Sequence, residues 1–440
     1  MLEVIHSLMS AWLGASEAQL LRSSELAQWL QATPIEFIAE AEAAPDPAAV
    51  AIVRQHLGAM VQSGMAVERQ GVWLQVGNQV VADNQSKTPL SAASLTKIAT
   101  TLAALTAWGP DQQFPTLVSA TAQPENGVLN GDLIVQGSGD PLFVWEEAIA
   151  LANALEAMGI KQVTGNLVIA GEFAMNFETN PTAAGNLLKR GMNSALWNNE
   201  ARNQFAALPA GTPRPSLQIA GTVQSVSPQQ AQQRSIVPLV RHQSLPLSQI
   251  LKAMNSYSNN AMSEMLAAKL GGGPEVAQTA AAAAYVPPEE IQLINGSGLG
   301  NENRISPRAA TAMLLAIQAS LQPQQLNVAD VFPVMGRDRG TLRSRRIPAG
   351  AALKTGTLNN VSSLAGVLPT ARGPVWFAII NVGADDLQTL HNQQDLLLQR
   401  LEQQWGGGRI PPEIQPSNRG TLPENQLGAA SRNQKIDLRG

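Results

Sequence analysis

The chain has 440 residues, 44% of them apolar and 14% charged, enough to bury a substantial core and long enough for two or three domains. Lys and Arg number 29 against 33 Asp and Glu, a formal net charge of −4, so there is no general basic field for nucleic acid and any anionic substrate needs a local cation. Cysteine is absent, which excludes disulfides, thiol nucleophiles and thiolate metal sites, and the four histidines are scattered without ligand spacing, which argues against a zinc site or a Ser/His/Asp triad.

In chain order, Val4–Ala15 is apolar, but Glu3 precedes it and the first basic residue is Arg22. It lacks the positive flank of a secretory signal and reads more readily as a short helix than as a leader. Residues 16–31 have the pattern of an amphipathic helix, and we assign 1–45 as an N-terminal helical segment ending at Ala-Pro-Asp-Pro (44–47). Helical periodicity resumes over 48–63, and 73–83 reads as a hairpin around Gly77-Asn78. Residues 94–108 form an apolar helix stopped by Gly109-Pro110.

The composition then changes. Strand-like, Gly-rich stretches at 130–140 and 163–173 flank a helix at 143–159, which suggests an inserted α/β domain over 118–236, with 208–234 as a loop-bearing return. The main domain is assigned to 46–117 and 237–405. Its second part carries helices at 246–269, a Gly-rich turn at 295–299, a helix at 306–321 started by Pro307, three closely spaced strands at 351–382 and a last helix at 387–405. Residues 406–440, polar and rich in Pro and Gly, are expected to be disordered. No apolar run is long enough for a transmembrane helix.

Three short elements carry chemistry. Ser94 and Lys97 lie three apart at a helix start, on one face, so the amine can serve the hydroxyl as a base if burial lowers its pKa. Ser258-Asn259-Asn260 sits between two helices. There a hydroxyl and a carboxamide can relay a proton and hold an amide, although Ser258 taken alone reads as an N-cap. Lys354-Thr355-Gly356-Thr357 lies in a strand. It offers a cation and hydroxyls for a carboxylate, and a glycine that admits a substrate backbone. Ser-x-x-Lys and Ser-x-Asn are weak alone and Lys-Thr-Gly is more specific; it is their order and placement together that carry the signal. Gly137-Ser138-Gly139 lacks the third glycine of a dinucleotide loop, since Leu142 stands there, and is read as a turn. Met254, Met262, Met265, Trp73 and Trp376 are read as core.

Ser-x-x-Lys, Ser-x-Asn and Lys-Thr-Gly in this order resemble the set of the penicillin-binding proteins and β-lactamases. With QGVWLQ (70–75), GDLIVQGSGDPLF (131–143), NGSGL (295–299) and the 163 residues separating Lys97 from the end of the Ser-x-Asn element, the chain most resembles D-alanyl-D-alanine carboxypeptidases/endopeptidases of the penicillin-binding protein 4 type (class C low-molecular-mass penicillin-binding proteins). Two features depart from that pattern: no clear export signal, and Asn259 where Asp is common.

The resemblance implies an α/β (α+β) transpeptidase-like fold, an antiparallel sheet flanked by helices with a smaller inserted domain. It implies that Ser94 is the nucleophile and Lys97 its base. Ser258 relays a proton to the leaving amine, and Lys354 tunes the field. Asn260 holds the substrate amide, while Lys354, Thr355 and Thr357 bind the terminal carboxylate. The N–H groups of Ser94 and Thr357 form the oxyanion hole. Peptidoglycan stem peptides are the implied partners, β-lactams the covalent inhibitors, and the extracytoplasmic space the location, with no cofactor and no metal. A β-lactamase on the same fold ranks lower, because no Glu-x-x-Leu-Asn run supplies a deacylating glutamate. A catalytically idle peptidoglycan-binding protein ranks lower because all three motifs are kept.

Overall fold

The computed structural model describes residues 45–383 and 386–436. The helix expected at 16–31, like the rest of the N-terminal segment before residue 45, lies outside the described residues. Helix Pro47–Gln62 begins where the Ala-Pro-Asp-Pro breaker ends: Asp46 caps the N–H groups of Ala48 and Ala49, and Pro47 occupies the first turn.

A five-stranded antiparallel sheet organises the main body, in the order Ala352–Leu358, Val361–Thr370, Gly373–Val382, Gln70–Val76, Gln79–Asn84. The expected three-strand meander is present, and the expected hairpin adds to its far side. Gly77 takes a positive φ of 54° in the two-residue hairpin turn.

The sheet is covered on both faces, so strand Val361–Thr370 is buried along its whole length. Alternate residues sort by face. Leu364, Leu368, Phe377 and Ile379 pack with Leu397, Leu398 and Leu401 of helix Leu387–Trp405 and Val53 of helix Pro47–Gln62. Ala365, Val367, Ala378 and Ile380 share the other core with Ile98, Leu102, Met254, Met262, Met313 and Ile317. Helix Thr96–Trp108, which carries Lys97, is thus the central helix of the larger core, and almost all of it is buried. Trp73 and Trp376 are buried as expected, whereas Met265 is only half-buried.

A second sheet runs in the order Val223–Ser225, Leu167–Glu172, Leu133–Ser138, Pro115–Ala120, Val237–Gln243, Asn433–Lys435. Leu133–Ser138 and Leu167–Glu172 pair in parallel, joined through helix Trp145–Ala157. Their separate core includes Leu133, Phe143, Trp145, Ile149, Ile169, Trp197 and Leu239. Strands Pro115–Ala120 and Val237–Gln243, where the chain enters and leaves this body, pair antiparallel. The return segment holds more than loops: Ser227 and Gln230 form a capping box on helix Pro228–Arg234. No helix among the described residues is long and apolar enough to cross a membrane.

The C-terminal tail corrects the expectation of disorder. Residues 406–436 lie against both bodies, while 437–440 fall outside the described residues. Few apolar side chains anchor the tail; long-range polar contacts do. Ile414 enters the main core, and Ser417 donates through its N–H and Oγ to Asp330. Asn433–Lys435 extends the second sheet beside Val237–Gln243.

Arg432, only 4% exposed, donates to Glu147, 1% exposed, at 2.6 Å, and to the carbonyls of Gln243, Glu424 and Gln426. Breaking one side of a buried pair strands the other charge. Arg432→Met is therefore expected to destabilise the protein by about 3–5 kcal/mol, read as a lower urea midpoint. Adding Glu147→Leu should restore most of the loss; a midpoint unchanged by Arg432→Met would show that the pair does not hold the tail.

Candidate active site

The site forms where the Ser94 turn meets the first strand of the main sheet. A short 3-10 turn, Ala93–Leu95, runs into helix Thr96–Trp108. Ala93 is fully buried and takes a positive φ of 47°, a conformation that a side chain adopts only under constraint. Two glycines supply that constraint. A Cβ on Gly298 would lie 1.9 Å from the Ala93 carbonyl oxygen, and one on Gly356 would lie 2.2 Å from Ser363 Oγ and 2.9 Å from both the Ala92 oxygen and the Ser94 nitrogen. Ser363 Oγ also donates to the Ala92 carbonyl at 2.7 Å. The close approach that Gly356 permits is thus to the chain's own Ser94 turn, where the sequence suggests a substrate backbone.

Lys97, one turn after Ser94, is fully buried. Its Nζ lies 3.0 Å from Ser94 Oγ, 2.8 Å from Asn260 Oδ1 and 2.7 Å from the Ser297 carbonyl oxygen. Of these partners, the two carbonyl oxygens can only accept, while the Ser94 hydroxyl can also donate. An uncharged amine fits this set: its two N–H groups go to Asn260 and Ser297, and its lone pair faces the Ser94 proton. Burial pulls Lys97 down to a pKa of about 7, and the Glu264 carboxylate partly opposes this. Glu264 touches neither Ser94 nor Lys97 by hydrogen bond. Its Oε1 accepts from Ser297 N at 2.9 Å and its Oε2 from Gly296 N at 3.2 Å.

Ser258 joins helices Leu247–Tyr257 and Asn260–Lys269 with a left-handed backbone, φ 53° and ψ 41°. Asn259 caps the second helix, accepting from Met262 N at 3.0 Å, so the N-cap role falls to the neighbour of Ser258 and leaves the serine hydroxyl free for the site. Lys354 Nζ donates to Ser258 Oγ at 3.0 Å and to the Thr355 carbonyl at 2.6 Å. Its amine is fully buried; burial and then the nearby Lys97 hold its pKa well below the usual lysine value. Thr355 Oγ1 pairs with Thr341 Oγ1 at 2.8 Å, and Thr357 is exposed.

The structure therefore brings Ser94, Lys97 and Asn260 into direct contact and sets Ser258 with Lys354 beside them. Gly356 lies under the Ser94 turn, and Thr355 and Thr357 line the strand leading away. The sequence reading missed Ser297, Glu264 and Thr341. A backbone acceptor such as Ser297 leaves no trace in side-chain identity. Glu264 did have a signal, since it follows Asn260 by four residues and so shares its helix face.

The sequence pattern of the D-Ala-D-Ala carboxypeptidase 3 (S13) family matches residues 55–177 and 215–403. D-alanyl-D-alanine carboxypeptidase DacB of Haemophilus influenzae is 25% identical over 394 residues, covering 67% of this chain and 81% of the relative. A carboxypeptidase of Mycobacterium tuberculosis is 27% identical over 338 residues, covering 67% and 71%. Among solved structures, the penicillin G-acylated predatory endopeptidase of Bdellovibrio bacteriovorus, in complex with an immunity protein, superposes with a TM-score of 0.69 at 22% identity, over 83% of this chain and 99% of that one. Penicillin-binding protein 4 of Haemophilus influenzae, in complex with a β-lactam, gives 0.54 at 23% identity, over 77% and 96%. These neighbours share the penicillin-binding fold expected from the motifs. The two matched stretches take in Ser94 and Lys97 on one side of the insertion and Ser258, Asn260 and Lys354 on the other, so the pattern spans both halves of the assembled site, and the chain belongs to the D-Ala-D-Ala carboxypeptidase 3 (S13) family.

Proposed function

We propose that the protein hydrolyses the D-Ala–D-Ala bond of peptidoglycan stem peptides through an acyl-enzyme on Ser94. The observation that carries this reading is the buried Lys97 amine, 3.0 Å from Ser94 Oγ, with its other two partners able only to accept.

As Ser94 Oγ attacks the carbonyl carbon of the penultimate D-Ala, its proton passes to the Lys97 lone pair. The negative charge on the carbonyl oxygen is met by the N–H groups of Ser94 and Thr357. The close packing of Gly356 on the Ser94 turn supports that pairing. The C–N bond then breaks, and the leaving amine takes the proton held by Lys97 by way of Ser258, whose hydroxyl is held by Lys354 and which passes one proton on as it gains the other. Water attacks the Ser94 ester, returning the serine and releasing the shortened peptide. Asn260 keeps its amide N–H groups for the substrate while its oxygen orients Lys97. Lys354, Thr357 and the Thr355–Thr341 hydroxyl pair receive the terminal carboxylate.

A peptide cross-link ending in the same D,D bond is open to the same chemistry, which gives the DD-endopeptidase activity. Peptidoglycan lies outside the cytoplasmic membrane, and this reading places the protein there. A β-lactam offers Ser94 a cyclic amide whose leaving nitrogen stays tethered to the acyl group, so the covalent adduct persists.

Incubation with penicillin should add one acyl group, mapped by mass to the peptide containing Ser94, and decaying slowly. Ser94→Ala should carry none; a label that survives this change sinks the nucleophile assignment, and rapid turnover would favour a β-lactamase.

The base must be unprotonated to act. With Lys97 held at about 7, the acylation rate constant is expected to rise with pH through that region and level off above it. A rate flat from pH 5 to 9 would exclude this amine as the base.

Lys354→Ala should weaken kcat/KM by roughly ten- to a hundredfold for peptides with a free terminal carboxylate. C-terminally amidated analogues should lose much less. Equal losses for both would remove Lys354 from carboxylate recognition.

A further inference from the structure

Helix Asn260–Lys269 presents two polar side chains to the site, one turn apart. Asn260 reaches Lys97 directly. Glu264 instead reaches the turn at 295–298, where its two oxygens accept from the adjacent N–H groups of Gly296 and Ser297. An anion bridging consecutive backbone N–H groups makes charge-assisted bonds stronger than neutral ones.

This turn is not held by burial of its apolar neighbours, since Ile294 and Leu299 are 57% and 53% exposed. Polar contacts hold it. Thr100 Oγ1 and Ser263 Oγ donate to the Gly296 carbonyl at 2.8 and 2.5 Å, and Asn295 Oδ1 accepts from Gly298 N at 2.8 Å. Those bonds fix residues 295, 296 and 298. In the Gly296–Ser297 peptide, which precedes the Ser297 carbonyl, Thr100 and Ser263 hold the carbonyl and Glu264 holds the N–H, and the Ser297 carbonyl is the shortest contact of the Lys97 amine.

We propose that Glu264 is a positioning residue for acylation: it clamps the turn that presents the Ser297 carbonyl to Lys97, and its negative charge faces the ammonium that forms when Lys97 takes the Ser94 proton. The assignment rests on Lys97 being the base. The charged groups facing that amine are Glu264 from this helix and Lys354 from strand Ala352–Leu358; Ser94, Asn260 and Ser297 are neutral. Glu264 raises the affinity of the amine for a proton, whereas burial lowers it. A base desolvated without such a counter-charge would be free of its own proton but too weak to hold that of the serine.

The test is penicillin acylation of the full-length protein, followed from pH 5 to 9 in wild type, Glu264→Gln and Glu264→Asp, with the adduct mapped in each. Gln keeps one acceptor for two N–H groups and loses the charge. Its acid limb should move to lower pH by about half a unit or more, and its plateau rate should fall about tenfold. Asp keeps the charge but withdraws it from the turn by one methylene. Its plateau should fall while its acid limb stays near that of wild type. An acid limb unmoved in Glu264→Gln, or plateau rates unchanged in both variants, would overturn the proposal. If Glu264→Gln does not fold, the plateau of Glu264→Asp decides the clamp: unchanged, it overturns the proposal. The adduct separates this result from failure of the wider reading, because a label away from Ser94 sinks the nucleophile, whereas a label on Ser94 with an unmoved limb sinks Glu264 alone.

Discussion

The arrangement of this site centres on a lysine amine that lies 3.0 Å from a serine hydroxyl and has its pKa pulled down to about 7. In water a lysine is protonated until pH 10 or so and useless as a base near neutrality. Here the amine sits fully buried on the central helix of the larger core, and the loss of hydration disfavours its charged form. The core therefore does more than stabilise the fold; it sets the protonation state on which the chemistry runs.

That arrangement demands close packing at backbone level. Three segments far apart in the chain converge on Lys97 and the Ser94 turn, namely the turn at 295–298, the junction at 258–260 and strand Ala352–Leu358. The left-handed Ala93 can persist because Gly298 and Gly356 press against its neighbours with no Cβ to keep them off. Strain at residue 93 is thus held by contacts from two other segments. The nucleophile is aimed by the tertiary structure, not by its own helix.

How much of this can be read in the sequence follows from the same geometry. Ser94 and Lys97 are one helical turn apart, so their meeting is local and visible as spacing. The strands at 351–382 alternate and turn quickly, so the meander was visible too. Ser258 with Lys354 is another case: 96 residues separate them, and only the family resemblance linked the two motifs. The tail failed for a related reason. Arg432 and Glu147 are 285 residues apart, and a single buried ion pair leaves no periodic pattern, so a polar Pro- and Gly-rich composition read as disorder. Ser297 acts through its carbonyl, which every residue possesses, and no side-chain pattern could have marked it.

The second lysine shows why the cavity needs an internal division of charge. Lys354 is as deeply buried as Lys97, and the Lys97 amine adds to burial in disfavouring its charged form. Were both charged in this desolvated space, their repulsion would add to two desolvation penalties. The hydrogen bonds separate their tasks. Lys97 faces two oxygens that only accept and a hydroxyl that can donate, a set complete for a neutral amine. Lys354 faces the Ser258 hydroxyl and the Thr355 carbonyl, and a third hydrogen is left over once the amine is protonated. A substrate carboxylate would both use that hydrogen and neutralise the charge. The cavity thus sets one amine beside the Ser94 hydroxyl and a second beside Ser258, with the Glu264 carboxylate as the counter-charge that acts on Lys97.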